Sequence, residues 1–267
     1  MITRYYTDPI NDDFAGNKIN TKPVPDSFKY VRRNPLFKLS SFLLYRVIAR
    51  PFIYLFLKLY HLQRFENKKL WKKCKNTGYF MYGNHTLSVS DAYIPNIMHI
   101  KKRNYIIANP DATSIKGIRD LVMMLGCLPL PNTMKSIIKF KDAVSNVINK
   151  KDVITIYPEA HIWPHYTDIR PFNDNFLTYQ VELNAPCFCF VNVAKKRKFS
   201  KRPKVKTVIS GPFYPDENLS IKDRKIKLRD EIYTAMKKIV DDNNPYKYKY
   251  DYIYKQENVL IKENKSF

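Results

Sequence analysis

The sequence predicts an α/β fold, with a mostly parallel central sheet flanked by helices and an N-terminal amphipathic helical segment at a membrane surface. Three observations predict it. Short apolar runs at 78–84, 105–108, 153–157, 187–193 and 206–209 alternate with stretches of helical periodicity at about 91–100, 114–125, 134–149, 173–184 and 219–242; strands alternating with helices imply a parallel sheet. The segment 35–62 is dense in aliphatic and aromatic residues, yet Lys38, Arg46, Arg50 and Lys58 interrupt it. Finally, 47 Lys and Arg stand against 24 Asp and Glu, a net charge of +23 that suits anionic lipid head groups or nucleic acid phosphates.

Residues 1–34 are polar and dotted with proline, and are expected to form an extended arm. In 35–67, the basic interruptions leave no run of about 18 apolar residues, which disfavours a simple spanning helix. Pro51 is expected to break the segment into two short interfacial helices meeting near Arg50. An α/β domain should occupy 68–216, and 217–267 should hold a helix followed by a Tyr/Lys-rich tail. In that tail, Ile221, Ile226, Leu228, Ile232, Met236 and Ile239 fall roughly at helical spacing, and Asn243, Asn244 and Pro245 end the pattern. Tyr and Lys then alternate through Tyr254, as a strand or an aromatic strip able to stack on bases.

The four cysteines, Cys74, Cys127, Cys187 and Cys189, contain no C-x-x-C pair. Cys187 and Cys189 lie on one face of an apolar strand, a spacing that suits core packing better than zinc and fits a reducing, cytoplasmic setting. The N-terminus lacks the basic-then-apolar order of a secretory signal.

The sharpest group of polar residues runs from Asn84 to Asp91. An apolar strand ends at Gly83-Asn84-His85, and a helix should start near Ser90, with Ser90 as its N-cap. Ligands of open α/β sheets bind beyond the carboxyl ends of strands. His85 sits at such an end, and Asp91 can curl back to hold the imidazole through its Nδ1 proton, leaving the other nitrogen as a base. A second apolar strand ends at Tyr157-Pro158-Glu159, with Arg170-Pro171-Phe172 following, and a third is introduced by Ala185-Pro186. His161 and His165 with Glu159 and Asp168 have metal-ligating side chains, but their Trp-Pro interruption fits no metal spacing, and no metal is expected.

In this order, over roughly 40–215, these blocks resemble the glycerophospholipid acyltransferase superfamily, the lysophosphatidate acyltransferase branch in particular. That family carries Asn-His-x4-Asp, Gly-x-x-Phe-x-x-Arg and Phe-Pro-Glu-Gly-Thr blocks, then an apolar strand led by proline. Asn84-His85 with Asp91 matches the first, and 157–161 matches the third. The chain departs from the pattern in three places. Five residues separate His85 from Asp91 where the family has four; Ala160-His161 replaces Gly-Thr; and 126–131 keeps the Gly of the second block without its Arg.

The resemblance implies transfer of a fatty acyl group from acyl-CoA or acyl carrier protein to a hydroxyl of a lysophospholipid-like acceptor, with no bound cofactor. His85 is then the general base and Asp91 its orienter. Asn84 and Glu159 are expected at the substrate, Glu159 holding the acceptor or shaping the site. Lys135, Lys139 or Arg170 is expected to take the phosphate contact of the missing Arg. The implied place is the cytoplasmic face of the cell membrane, peripheral or monotopic, against anionic lipids. Two other readings stand beside this one: a basic nucleic-acid-binding protein using the Tyr/Lys strip, and an inactive membrane-bound relative acting as a partner protein.

Overall fold

The computed structural model describes residues 1–16, 21–99, 101–115 and 117–255, so the expectations for 256–267 of the tail lie outside the described residues. In chain order the elements are β1 (Ile2–Tyr6), α1 (Pro35–Phe42), α2 (Arg50–Tyr60), β2 (Arg64–Glu66), β3 (Tyr79–Gly83), α3 (Ile94–Met98), β4 (Asn104–Ala108), α4 (Asp111–Ser114), α5 (Arg119–Met124), β5 (Cys127–Pro129), α6 (Met134–Asn149), β6 (Val153–Ile156), α7 (Thr178–Glu182), β7 (Cys187–Lys195), β8 (Lys204–Phe213), α8 (Ile221–Asn243) and β9 (Tyr250–Tyr254). The main sheet has 7 strands in the order β2-β8-β7-β3-β6-β4-β5. Its pairs are parallel except β7 with β8.

Central strands buried on both faces read as continuous apolar runs, and β3 and β7 do. Phe80, Tyr82, Cys187, Cys189, Val191 and Val193 face one core with α6, α7 and α8. Tyr79, Met81, Phe188 and Phe190 face a second core with Ile53 and Leu57 of α2 and Ile94 and Met98 of α3. The result is three layers. The expected pairing of Cys187 and Cys189 on one strand face is what the sheet shows. The core also runs past the limits 68–216: β2 adds an edge strand from 35–67, and α8 packs Leu228, Ile232 and Met236 against the sheet.

Pro51 does not break the segment 35–62. One continuous helical path runs from α1 through a π-helical stretch, Leu43–Ala49, into α2. The π stretch donates from the backbone of Arg50 to Tyr45 O, a bond spanning five residues, immediately before the proline. Wider winding at that point accommodates a residue with no N–H to give. Asn34 caps the start, its side chain accepting from Leu36 N at 2.8 Å with Pro35 in the first turn. No helix among the described residues is long and apolar enough to cross a membrane.

Three strands escaped the sequence pattern: β1, β2 and β5. β2 and β5 are three residues each, below the length at which alternation shows. β1 pairs in parallel with β9, so the N-terminal arm and the Tyr/Lys strip form a separate 2-stranded sheet.

Candidate active site

Strand β3 lies between β6 and β7, and its chain leaves the sheet at Gly83. A Cβ there would run into the ring of Phe190 across the ladder, so glycine lets the two strands close. Beyond Gly83 the ladder continues through a side chain. Asn84 Oδ1 accepts from Asn192 N at 2.8 Å, and Asn84 Nδ2 donates to Asn192 O at 3.2 Å. Asn84 is therefore buried in main-chain pairing, and its amide sets where His85 emerges.

His85 Nδ1 lies 2.9 Å from Asp91 Oδ2. Asp91 is fully buried and accepts two further hydrogen bonds, from Leu87 N at 2.9 Å and from Asn192 Nδ2 at 3.2 Å. An acceptor-only carboxylate at Nδ1 assigns the proton to that nitrogen, so Nε2 carries the lone pair. Nε2 has no hydrogen-bond partner among the described residues, and the side chain keeps 17% of its surface exposed. The imidazole stacks on the ring of Tyr157, 4.5 Å between centroids and 20° between planes. Tyr157 in turn donates from its hydroxyl to Asp91 O at 2.5 Å. Burial and the neighbouring Asp91 push the Tyr157 phenol well above its usual range, which keeps it a neutral donor.

The five residues between His85 and Asp91 are absorbed locally. Ser88 takes a positive φ of 47°, and Ser88–Ala92 winds as a 3-10 turn that brings Asp91 back under the imidazole. Ser90 does not cap a helix as the sequence pattern predicts. Its hydroxyl meets His61 Nε2 at 2.8 Å, and α3 starts only after the 3-10 turn.

Glu159 sits behind the histidine. Its carboxylate accepts from His85 N at 2.8 Å and from Arg170 N at 2.9 Å, and it is 2% exposed. Burial pushes this carboxyl up, while the Arg170 guanidinium and the two N–H donors oppose that shift. Arg170 is equally buried. It donates to Glu159 O at 3.1 Å and to His161 O, and lies over the Trp163 ring, so it braces the loop from inside. That loop also closes on the histidine turn: Trp163 N donates to His85 O at 3.2 Å, and His165 N donates to Thr86 O at 2.8 Å.

Lys135 and Lys139 lie elsewhere. Both are exposed in the first turns of α6, which follows β5 at the sheet edge, three strands from β3. Lys139 Nζ donates to Asp26 O of the N-terminal arm at 2.5 Å. The structure thus brings Asn84, His85, Asp91, Glu159 and Arg170 together and leaves the two lysines apart. The sequence pattern did not single out Tyr157 as a stacking partner, nor Asn192. A polar residue inside the apolar run 187–193 was the available signal, because a buried amide demands partners.

The Tyr strip has its rings occupied. Tyr252 stacks on Trp163 with centroids 5.0 Å apart, Tyr250 stacks on His165 at 5.8 Å, and the Tyr248 hydroxyl bonds His165 Nδ1. Phe14 and Tyr6 of the arm pack edge-on against the same Trp163.

A three-layer α/β fold with a histidine and a buried carboxylate joined at the carboxyl end of a central strand is the architecture defined here. The sequence matches no family model and no curated protein. Among solved structures, the fold is similar to that of the 1-acyl-sn-glycerophosphate (LPA) acyltransferase PlsC from Thermotoga maritima, with a TM-score of 0.50 and 13% identity, over 78% of this chain and 96% of that one.

Proposed function

We propose that this chain is an O-acyltransferase that moves a fatty acyl group from acyl-CoA or acyl carrier protein to a hydroxyl of a lysophospholipid-like acceptor at an anionic membrane surface. The observation that carries the reading is the 2.9 Å His85–Asp91 pair, with Nε2 unpartnered among the described residues, on a fold similar to that of an LPA acyltransferase. His85 Nε2 takes the proton of the acceptor hydroxyl as its oxygen attacks the thioester carbonyl. A C–O bond forms, the C–S bond breaks, and the imidazolium returns its proton to the departing thiolate. The products are an ester and a free thiol. Asp91 stabilises the imidazolium while the charge exists. Glu159 holds the backbone N–H of His85 from behind, and Arg170 holds Glu159 and its loop, which supports a positioning role for both rather than contact with the acceptor.

The helical path 35–60 supports the membrane part of the reading. Leu36, Leu39, Phe42, Val47, Ile48, Phe52, Leu55 and Leu59 are all exposed, with Phe52 at 71%. Apolar surface of this extent on one element marks an interaction or membrane face. Basic residues border it: Arg46 donates to Lys101 O, Arg197 donates to Tyr60 O, and Arg202 lies 4.0 Å from the Tyr60 ring centroid. The proposed place is the cytoplasmic face of the membrane, bound peripherally or monotopically.

The test is turnover of palmitoyl-CoA, and separately of palmitoyl acyl carrier protein, with oleoyl lysophosphatidate in phosphatidylglycerol vesicles, followed by thiol release. His85→Ala is expected to lower kcat by about 100-fold to 10,000-fold. Unimpaired turnover by that variant removes His85 from the mechanism.

A further inference from the structure

A chain of buried amides and a hydroxyl leads from the end of α2 to Asp91. Asn192 Nδ2 donates to Asp91 Oδ1 at 3.2 Å. Thr207 Oγ1, its cross-strand neighbour on β8, donates to Asn192 Oδ1 at 2.6 Å. Gln63 Nε2 donates to Thr207 Oγ1 at 2.5 Å. All four residues are at most 5% exposed. Gln63 itself is placed by the helix terminus. Leu62 takes a φ of 46°, and Gln63 N donates back to Leu57 O at 3.2 Å, which folds the chain end back onto the helix.

The direction of donation carries the argument. A hydroxyl has one proton. Gln63 gives a hydrogen to the Thr207 oxygen, so the Thr207 proton goes to Asn192. Asn192 must then present its carbonyl oxygen to Thr207 and its NH2 to Asp91. Asn192 cannot slide, because Asn84 grips its backbone N–H and C=O. One residue of β7 therefore fixes both ends of the catalytic turn: Asn84, next to His85, through its main chain, and Asp91 through its side chain. In this dry setting, an Asp91 oxygen stripped of its donor is a buried acceptor without a partner, and the carboxylate can rotate away from Nδ1.

We propose that Asn192 is the positioning residue of the His85–Asp91 pair, held in its working orientation by Thr207 and, through Thr207, by Gln63. This rests on the reading of His85 as general base. Neither Thr207 nor Gln63 touches the reacting atoms, and each acts through the next.

The experiment compares Asn192→Ala, Thr207→Val, Thr207→Ser and Gln63→Met in the full chain, with palmitoyl-CoA and oleoyl lysophosphatidate as probes. Asn192→Ala, which removes the charge-assisted hydrogen bond to Asp91, and Thr207→Val, which frees Asn192 to turn from it, are expected to lower kcat by about 10-fold to 100-fold, with KM for both probes unchanged. Serine at 207 should recover most of the kcat lost with valine, because it keeps the hydroxyl. A second reading needs no turnover. The His85 Nδ1 proton of the wild type should give a slowly exchanging downfield NMR resonance, and this resonance should broaden away in folded Thr207→Val and Gln63→Met and return with serine.

A folded Asn192→Ala or Thr207→Val that keeps wild-type kcat and the wild-type resonance overturns the proposal, as does a serine variant no better than valine. If Asn192→Ala does not fold, the Thr207 pair and Gln63→Met decide. An active His85→Ala would instead sink the general-base reading, while an inactive His85→Ala beside fully active Asn192 and Thr207 variants sinks only the positioning chain.

Discussion

Ala160 shows at one residue how this chain departs from the family pattern it resembles. It stands where that pattern has glycine, and it adopts a φ of 60° on an exposed turn. A side chain in the left-handed region costs about 1 to 2 kcal/mol, and a new glycine returns about half of that through the freer unfolded chain. Ala160→Gly is therefore expected to raise stability by up to about 1 kcal/mol, a shift of about 2 °C in Tm by calorimetry; an unchanged or lower Tm would show that the turn holds no such strain. The same loop marks the boundary of what residues alone disclose. His85 and Asp91 were legible because a strand end, a histidine and a nearby acid recur in one short stretch. Their further partners were not, because Asn192 and Tyr157 reach Asp91 across 101 and 66 positions of sequence. Arg170, one of three residues expected at a phosphate, is buried against the Trp163 ring.

Among the elements, the helical path 35–60 carries the most unusual balance of surface. It buries Tyr45, Ile53 and Leu57 toward the sheet and turns a larger apolar set outward. Placing a charge in that outward set, as in Phe52→Asp with Leu59→Asp, is expected to weaken co-sedimentation with phosphatidylglycerol vesicles by about 10-fold or more, since each large apolar side chain contributes about 1.5 to 3 kcal/mol on burial. Binding that survives both changes would place the contact elsewhere. Element by element, the long strands and helices were readable from their period: α6 and α8 fall within a residue or two of the expected 134–149 and 219–242. The helix expected at 91–100 is instead a 3-10 turn and a short α3, because the backbone there must deliver Asp91 to His85. The helix expected at 173–184 likewise begins as a 3-10 turn.

Across the whole molecule, three histidines other than His85 are wholly or partly buried. Burial pushes His99 down to about 3, and His61 and His165 down to about 4, from a usual 6.5. The native protein keeps these rings neutral, while the unfolded chain protonates them below pH 6.5, so the unfolded state binds more protons there. Stability is thus fully present above pH 6.5 and falls as the pH drops from 6.5 toward 4, with each ring steepening the slope by up to about 1.4 kcal/mol per pH unit. Unfolding midpoints measured across that window should decline, and His99→Gln, with no ring to protonate, should decline less steeply; equal slopes would mean that other groups govern acid unfolding.

The small sheet joining Ile2–Tyr6 to Tyr250–Tyr254 has a consequence for biogenesis. On the ribosome, Ile2–Tyr6 must wait until Tyr250–Tyr254 emerges before it has a partner. Until then Trp163 lacks Tyr252, and the loop behind the imidazole is without its outer support. A nascent chain can assemble the seven-stranded layer before Tyr250–Tyr254 is made, since its last strand ends at Phe213. The loop behind the imidazole, by contrast, gains its final seat only once Tyr250–Tyr254 has been made, so a polypeptide truncated before residue 250 should be folded yet loosely organised around His85.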